Sequence, residues 1–393
     1  MALATLAGRT VPGIFVTLKK YERHISAVSM IAGFAFDNYF FGRIDHPRTQ
    51  LVLFGYICLA VGSILFMHFI ESRWDSDDLE KTAPGTIGSA VFMRHESDSD
   101  IDGLKKIRPI VIGATQFGLG ALMSAFVIFY GRSAVFSVSW PFLIVLGAIF
   151  IGNEVFKRYH DRLVFTCTLL FFALYSYAIF VVPIFTRTMG KTMFLLSGAL
   201  ATAAFVGVVV MLSFIGPARM RQSWLGITAG AAAVLAILNV SYFTNILPPL
   251  PLALSNAGVF HYVSRDGAVY RAVGESRNWI SVPWLEPTIH VNRGESLYVY
   301  SAVFAPIQLQ TKVQHVWQRY DDAAQTWKTQ AVVSYAITGG RDGGYRGFSI
   351  KSTPAKGRWR VNIQTGDGRL IGRVAFSVVP VSKPVTRVAQ VLQ

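Results

Sequence analysis

The chain has 393 residues, of which 52% are hydrophobic and only 15% charged, with a formal net charge of +15. That balance is too apolar for an ordinary soluble protein of this length, and it assigns the positive charge to membrane-flanking loops and phospholipid head groups before nucleic acid. Cys58 and Cys167 both lie in apolar runs, which excludes a disulfide framework or a metal-binding cysteine cluster.

Residues 1–24 read as a cytoplasmic segment. They hold no compact apolar run ending in a small-residue cleavage site, so the expectation is insertion by the first membrane helix rather than by a removable signal. A span needs about 20 mostly apolar residues. Seven windows within residues 25–247 qualify: Ile25–Ile44, Gln50–Ile70, Pro109–Tyr130, Val135–Val155, Leu163–Phe185, Thr192–Ile215 and Trp224–Leu247. The first contains "GFAFDNYFFGRID", which places Asp37 and Asn38 among aromatic residues.

Loop charge orients the bundle. One set of ends carries Lys19, Lys20 and Arg23, then Arg73, Lys81, Arg94, Lys105, Lys106 and Arg108 in a loop over 71–108, then Lys157, Arg158, Arg162, Arg219 and Arg221. The opposite ends carry only Arg43, Arg48, Arg132, Arg187 and Lys191. The positive-inside bias therefore puts the N-terminus in the cytoplasm and everything after Leu247 outside.

Several motifs fail on inspection. "GKT" at Gly190–Thr192 has Phe185 where a phosphate loop needs its first glycine. "DSDIDG", Asp98–Gly103, begins like a calcium loop but reaches Pro109 where the bidentate glutamate belongs. The histidines show no HExxH pair, and no GxSxG elbow occurs. Gly226 and Gly230 form a GxxxG that suits packing within the bundle.

A proline-rich linker, 248–257, precedes a domain of short alternating segments over 258–380 and a tail over 381–393. In "RWRVNIQ", Trp359, Val361 and Ile363 face one way while Arg358, Arg360, Asn362 and Gln364 face the other. In "GRVAFSVV", Val374, Phe376 and Val378 alternate with Arg373, Ala375 and Ser377. "SRDGAV" and "TGDGRL" carry Asp-Gly hairpin turns. The pattern predicts an antiparallel, immunoglobulin-like β-sandwich after an all-α seven-helix bundle. A cysteine-free domain of this kind fits a periplasm better than a disulfide-rich extracellular setting.

The blocks "QFGLGALMSAFVIFYGRSA" (Gln116–Ala134), "SWPFLIVLGAIFIGNEVFKRY" (Ser139–Tyr159), "HVWQRYD" (His315–Asp321), "GGRDGGYRGFSIKS" (Gly339–Ser352) and "GRWRVNIQTGDGRLIGRVAFSV" (Gly357–Val378) resemble a family of bacterial multi-pass membrane proteins. "GFAFDNYFFGRID" is similar to that family's first-helix block. The family's C-terminal module is the domain of unknown function 2914. The resemblance implies an inner-membrane protein with a C-terminal extracytoplasmic domain, and brings no activity, cofactor or catalytic residue.

Two groups of residues are candidate sites. Asp37 lies roughly 10 Å below the outer end of its window at about 1.5 Å per residue. Tyr56, Tyr177, Ser197 and Asn239 fall near the same level, so the five are a candidate polar cavity for a cation, a proton or a lipid head group. Alternatively, Asp37 and Asn38 bond to a neighbouring helix end and fix the first span. In the outer domain, His315, Trp317 and Arg319 share one strand face, and Arg341, Tyr345 and Arg346 lie in or beside a glycine-rich connection. Arginine beside an aromatic suits phosphate, carboxylate or sugar. The structural alternative makes Trp317 and Trp359 core residues and the arginines a solvated or lipid-facing surface. The sequence thus predicts a non-catalytic envelope protein, without cofactor or metal, whose outer domain binds a protein, glycan or lipid. The second reading is a transporter or lipid-modifying protein working at Asp37. Membrane lipids are expected partners, nucleic acid is not, and the oligomeric state is open.

Overall fold

The computed structural model describes residues 34, 35, 37–39, 41, 45–82, 90–155, 163–267, 269–275, 286–306, 309–338, 344–383 and 385–392. Within them, side chains are described except over 74–82, 90–106, 136–137 and 152–155. Most of the first expected span lies outside these residues; 34, 35 and 37–39 are helical.

Six long helices follow: α1 Pro47–Thr82, α2 Ala90–Ser133, α3 Phe136–Val155, α4 Leu163–Thr186, α5 Lys191–Ile215 and α6 Pro217–Phe243. Five carry stretches long and apolar enough to cross a membrane, and α3 holds a shorter apolar stretch, Val138–Ile151. The loop expected over 71–108 is largely helical, since α1 runs on to Thr82 and α2 begins at Ala90. The charged residues there are good helix formers, so the helices continue beyond their apolar parts. Helix α4 is the central one, with Phe171, Tyr175 and Phe180 fully buried and α1, α2, α5 and α6 packed around it. Gly226 and Gly230 of α6 face Val164 and Thr168 of α4.

Eleven strands follow: β1 Ala253–Phe260, β2 Tyr262–Asp266, β3 Val269–Glu275, β4 Thr288–Val291, β5 Leu297–Phe304, β6 Gln310–Asp321, β7 Thr326–Thr338, β8 Tyr345–Lys351, β9 Gly357–Thr365, β10 Leu370–Pro380 and β11 Arg387–Leu392. They form three sheets, ordered β1-β5-β8, β4-β10-β9-β6-β7 and β11-β3-β2. All pairings are antiparallel except β4 with β10. Where an antiparallel, immunoglobulin-like sandwich was expected, the described residues build three sheets with one parallel pair.

Trp317, Trp359, Val361, Phe376 and Val378 of the five-stranded sheet pack on Val259, Leu297 and Val299 of β1 and β5. Tyr270, Ala272 and Leu392 of the third sheet pack on Tyr300 and Ala302 of β5. Successive residues of a strand face opposite ways, so β5 supplies both cores. The linker boundary is corrected, because β1 already begins at Ala253 and Leu247, Leu250 and Leu252 are buried. The tail is corrected too, because β11 pairs with β3 from Arg387 to Leu392.

The β domain is seated directly on the bundle. Gln310 N–H donates to Arg187 O at 3.2 Å, at the α4–α5 turn. Met189 of that turn packs against the cluster of Leu252, Val303 and Leu309. The β9–β10 turn brings Arg369, only 7% exposed, onto the end of α6. Gly368, at φ +86°, makes the tight turn that aims it there.

Candidate functional site

The polar groups near the Asp37 level divide among three helix contacts. Ser124 of α2 donates to Asp37 Oδ2 at 2.6 Å, and Tyr56 of α1 lies within electrostatic reach of that carboxylate. Arg132 donates to Asn38 O at 2.8 Å and Oδ1 at 2.9 Å, and to Phe41 O. Asn239 of α6 donates to Tyr175 Oη at 3.3 Å, close to Gly198 of α5. The neighbouring Ser197 hydroxyl is spent on Met193 O at 2.8 Å. Tyr177 lies near Cys58 of α1 instead. Two helical steps turn a side chain through about 200°, so Tyr175 and Tyr177 point to opposite sides of α4. Tyr175, which depth counting alone passed over, is thus the tyrosine that meets Asn239.

At the other end of the bundle, Glu71 forms ion pairs with Arg219 at 2.7 Å and Arg108 at 3.6 Å. His68 Nε2 bonds Leu212 O at 3.1 Å. A cleft beside them, lined by His68, Glu71, Thr115 and Thr166 among others, encloses about 20 Å³. That is room for a single water. The charges here tie α1, α2 and α6 together.

In the β domain, His315 and Trp317 point inward and are fully buried. His315 Nε2 meets Ser301 Oγ at 2.8 Å and Tyr335 Oη at 3.1 Å, and its Nδ1 meets Ser349 Oγ at 2.8 Å. Trp317 Nε1 donates to the same Ser349 Oγ at 2.9 Å. Burial pushes the His315 imidazole down to about 4, so it is a neutral core group that cross-links β5, β6, β7 and β8. Arg319 donates to Lys356 O at 2.9 Å. Tyr345 stacks on Tyr335, and Arg346 O accepts the Tyr270 hydroxyl at 3.0 Å, which places both beside the sheet interfaces. Arg341 lies outside the described residues.

A second polar cluster in the domain is internally paired. His261 contacts Glu295 at 2.9 Å and Glu275 at 3.2 Å, Glu275 also takes His290 at 3.0 Å, and Glu295 takes Arg387 at 2.7 Å. Burial pushes both carboxyls up, but the hydrogen bonds outweigh it and hold both below the ordinary range. Among the described residues no three histidine, cysteine or acidic side chains are placed to hold a metal ion.

The outer face of the five-stranded sheet is different. The alternation that sends Trp359, Val361 and Ile363 inward sends Arg358, Arg360, Asn362 and Gln364 outward. Antiparallel register sets Gln314, Val316 and Gln318 of β6 beside Gln364, Asn362 and Arg360 of β9, and Arg373 of β10 beside Asn362. A hydrogen-bonded ladder results. Arg373 Nε donates to Asn362 Oδ1 at 2.7 Å, Asn362 Nδ2 to Gln318 Oε1 at 3.3 Å, and Arg360 Nε to the same Gln318 oxygen at 2.8 Å.

Two rings extend the ladder. The Arg360 guanidinium lies 4.3 Å from the Trp327 ring centre and that of Arg358 lies 3.8 Å from Tyr320, which fixes both cations flat. Arg358 has Asp322 at 3.9 Å, whereas among the described residues Arg360 and Arg373 form no ion pair. Burial lowers both guanidinium groups from their ordinary value, and the Arg373 charge lowers Arg360 further. Two half-buried cations thus lie close enough for the charge of Arg373 to act on Arg360.

Residues 310–378 match the family model described as a protein of unknown function, DUF2914. The match runs from the first residue of β6 into β10, so it includes every residue of the ladder. No curated protein matches the chain. Two solved structures are similar in part. A β-glucosidase from Listeria innocua, in complex with gluconolactone, is 15% identical over 34% of this chain and 18% of its own, with a TM-score of 0.17. The alkylpurine DNA glycosylase AlkC of Pseudomonas fluorescens, bound to DNA with an abasic site analog, is 9% identical over 82% of this chain and 99% of its own, with a TM-score of 0.22. The chain spans less than a fifth of the β-glucosidase, and likenesses this low carry no argument about fold or activity.

Proposed function

We propose that the protein is a non-catalytic component of the bacterial envelope, held in the inner membrane by seven spans, whose β domain lies in the periplasm and binds an anionic partner. The observation that carries this reading is the Arg360–Gln318–Asn362–Arg373 ladder, whose two preorganised cations form no ion pair among the described residues. Ordering these long side chains in advance lowers the entropy that a ligand must offset.

The orientation is supported by the division of the bundle's ends. The β domain rests on the end that holds Arg187, Met189 and Leu247. The Glu71, Arg108 and Arg219 cluster lies at the opposite end, where the loops richest in lysine and arginine join. Ser124 takes Asp37 and Tyr175 takes Asn239, which supports packing roles for these two polar groups over the transport reading.

The test uses the full-length protein in detergent on an anionic matrix. The Arg360→Gln/Arg373→Gln pair should elute at markedly lower salt than wild type. An Arg265→Gln/Arg271→Gln pair, which removes equal charge from another sheet, should elute almost unchanged. Equal effects of the two pairs would mean general charge rather than a site.

A further inference from the structure

We infer that His261 carries a proton on both ring nitrogens, and that this internal cation is a pH-sensitive latch between the sheets of the β domain. Its position is the first argument. His261 stands between β1, which belongs to the first sheet, and β2, which belongs to the third. The side chain is only 2% exposed, and the backbone N–H donates to Val273 O at 2.9 Å, so the ring is held away from water. Nδ1 meets Glu295, in the β4–β5 turn, at 2.9 Å. Nε2 meets Glu275, the last residue of β3, at 3.2 Å.

Hydrogen-bond chemistry is the second argument. An ionised carboxylate only accepts, and a neutral imidazole has a single N–H. A neutral His261 would therefore aim a lone pair at one of the two acids. Neither acid keeps a proton of its own. Glu275 accepts His290 N–H at 2.6 Å and meets His290 Nδ1 at 3.0 Å. Glu295 accepts Asn292 N–H at 2.9 Å and pairs with Arg387 at 2.7 Å. These donors hold both carboxyls below the ordinary range, hence ionised. Arg387 and His261 then balance the two acids, and partly exposed His290 needs only its Nδ1 proton.

The latch follows from what the acids hold. Glu275 ties β3 to β4, the third sheet to the second. Glu295 ties the turn before β5 to Arg387, the first residue of β11. Removing the His261 proton leaves a negative charge uncompensated in a site closed to water. Strand β11 has six residues and pairs along one edge only, with β3, so it releases first.

The test is nitrogen NMR of the full-length protein in detergent, labelled at histidine and followed from neutral to alkaline pH. Glu295→Gln removes a partner of His261 and none of His290, so the signals it shifts identify His261. At neutral pH both His261 nitrogens should read as protonated, whereas buried His315 should show one bare nitrogen. As His261 loses its proton, hydrogen-exchange protection of β11, corrected for the intrinsic rate, should fall tenfold or more while β9 keeps its own. His261→Gln should lose the β11 protection already at neutral pH. A bare nitrogen on His261 at neutral pH would overturn the protonation assignment. Titration of His261 with no change at β11 would overturn the latch.

Discussion

Arg369 belongs to the β9–β10 turn, yet its Nη2 donates to Leu247 O at 2.9 Å, beyond the end of α6. The same nitrogen reaches Pro248 O at 3.2 Å, and the guanidinium lies 4.1 Å from the Tyr242 ring centre. Both carbonyls belong to the exit segment beyond α6, so the cation supplies acceptors there with the donor that no regular element provides. The hairpin that carries Arg358, Arg360 and Arg373 is thus the one that docks on the bundle. Arg369→Met should cost about 1.5–3 kcal/mol for each charge-assisted bond lost. Limited proteolysis should then cleave between Leu247 and Ala253 faster than in wild type. Unchanged cleavage would show that the other contacts hold the seat alone.

His315 makes the domain acid-sensitive. Its ordinary value of 6.5 applies to the unfolded chain and about 4 to the fold, so the unfolded chain binds the extra proton between them. The stability contributed by the neutral ring is complete above 6.5 and is lost as pH falls toward 4, at about 1.4 kcal/mol per pH unit and about 3 kcal/mol in all. Glu275 and Glu295 are depressed carboxyls, so their contribution is present above their ordinary 4.5 and is lost at lower pH. Urea unfolding followed by tryptophan fluorescence should show His315→Gln flattening the upper limb while the fall below 4.5 remains. Parallel curves for variant and wild type would exclude His315 as the titrating group.

Gly230 of α6 faces Thr168 of α4. A Cβ there would sit 2.1 Å from Thr168 Oγ1, far inside contact distance. Gly230→Ala should lower the melting temperature in detergent through a cost of about 1–3 kcal/mol. Adding Thr168→Ala should recover most of it, because the clashing hydroxyl is gone. Additive losses would place the effect elsewhere.

Glu71 holds Arg108 and Arg219 with its side chain only 11% exposed. Glu71→Gln removes the carboxylate charge from between two guanidinium groups, and since both arginines are partly exposed the cost should be about 1–3 kcal/mol, below that of a fully buried pair. The melting temperature in detergent should fall accordingly, and Glu71→Gln/Arg219→Met should recover part of the loss. A neutral Glu71→Gln would mean that the cluster contributes nothing to helix packing.

Period-2 alternation made the outward row of β9 and β10 legible, since every second residue from Trp359 to Ile363 is apolar. The sidedness of β6 was not. Val313, His315, Trp317 and Arg319 do share a face, but two of the four are polar, and the partners that make His315 a core residue, Ser301, Tyr335 and Ser349, lie on other strands. Gln318 became a site residue only when register set it beside Arg360. Strand β11 was missed because backbone pairing leaves no mark in sequence, and "RVAQVL" exposes Val388 and Val391 rather than alternating. In the bundle, depth along each helix was legible, but rotation about its axis was not. That is why Tyr177 was grouped with Asn239 where Tyr175 makes the contact.

The central claim is that the outer face of the five-stranded sheet is the binding surface. Its most direct test is a photo-crosslinking residue placed in living cells at Gln314 or Thr329 on that face, and at Val391 on β11 as a control. The account predicts adducts from the first two positions, none from the third, and loss of the adducts when Arg360→Gln and Arg373→Gln are added. Adducts from Val391 alone, or adducts that persist without the two arginines, would contradict it.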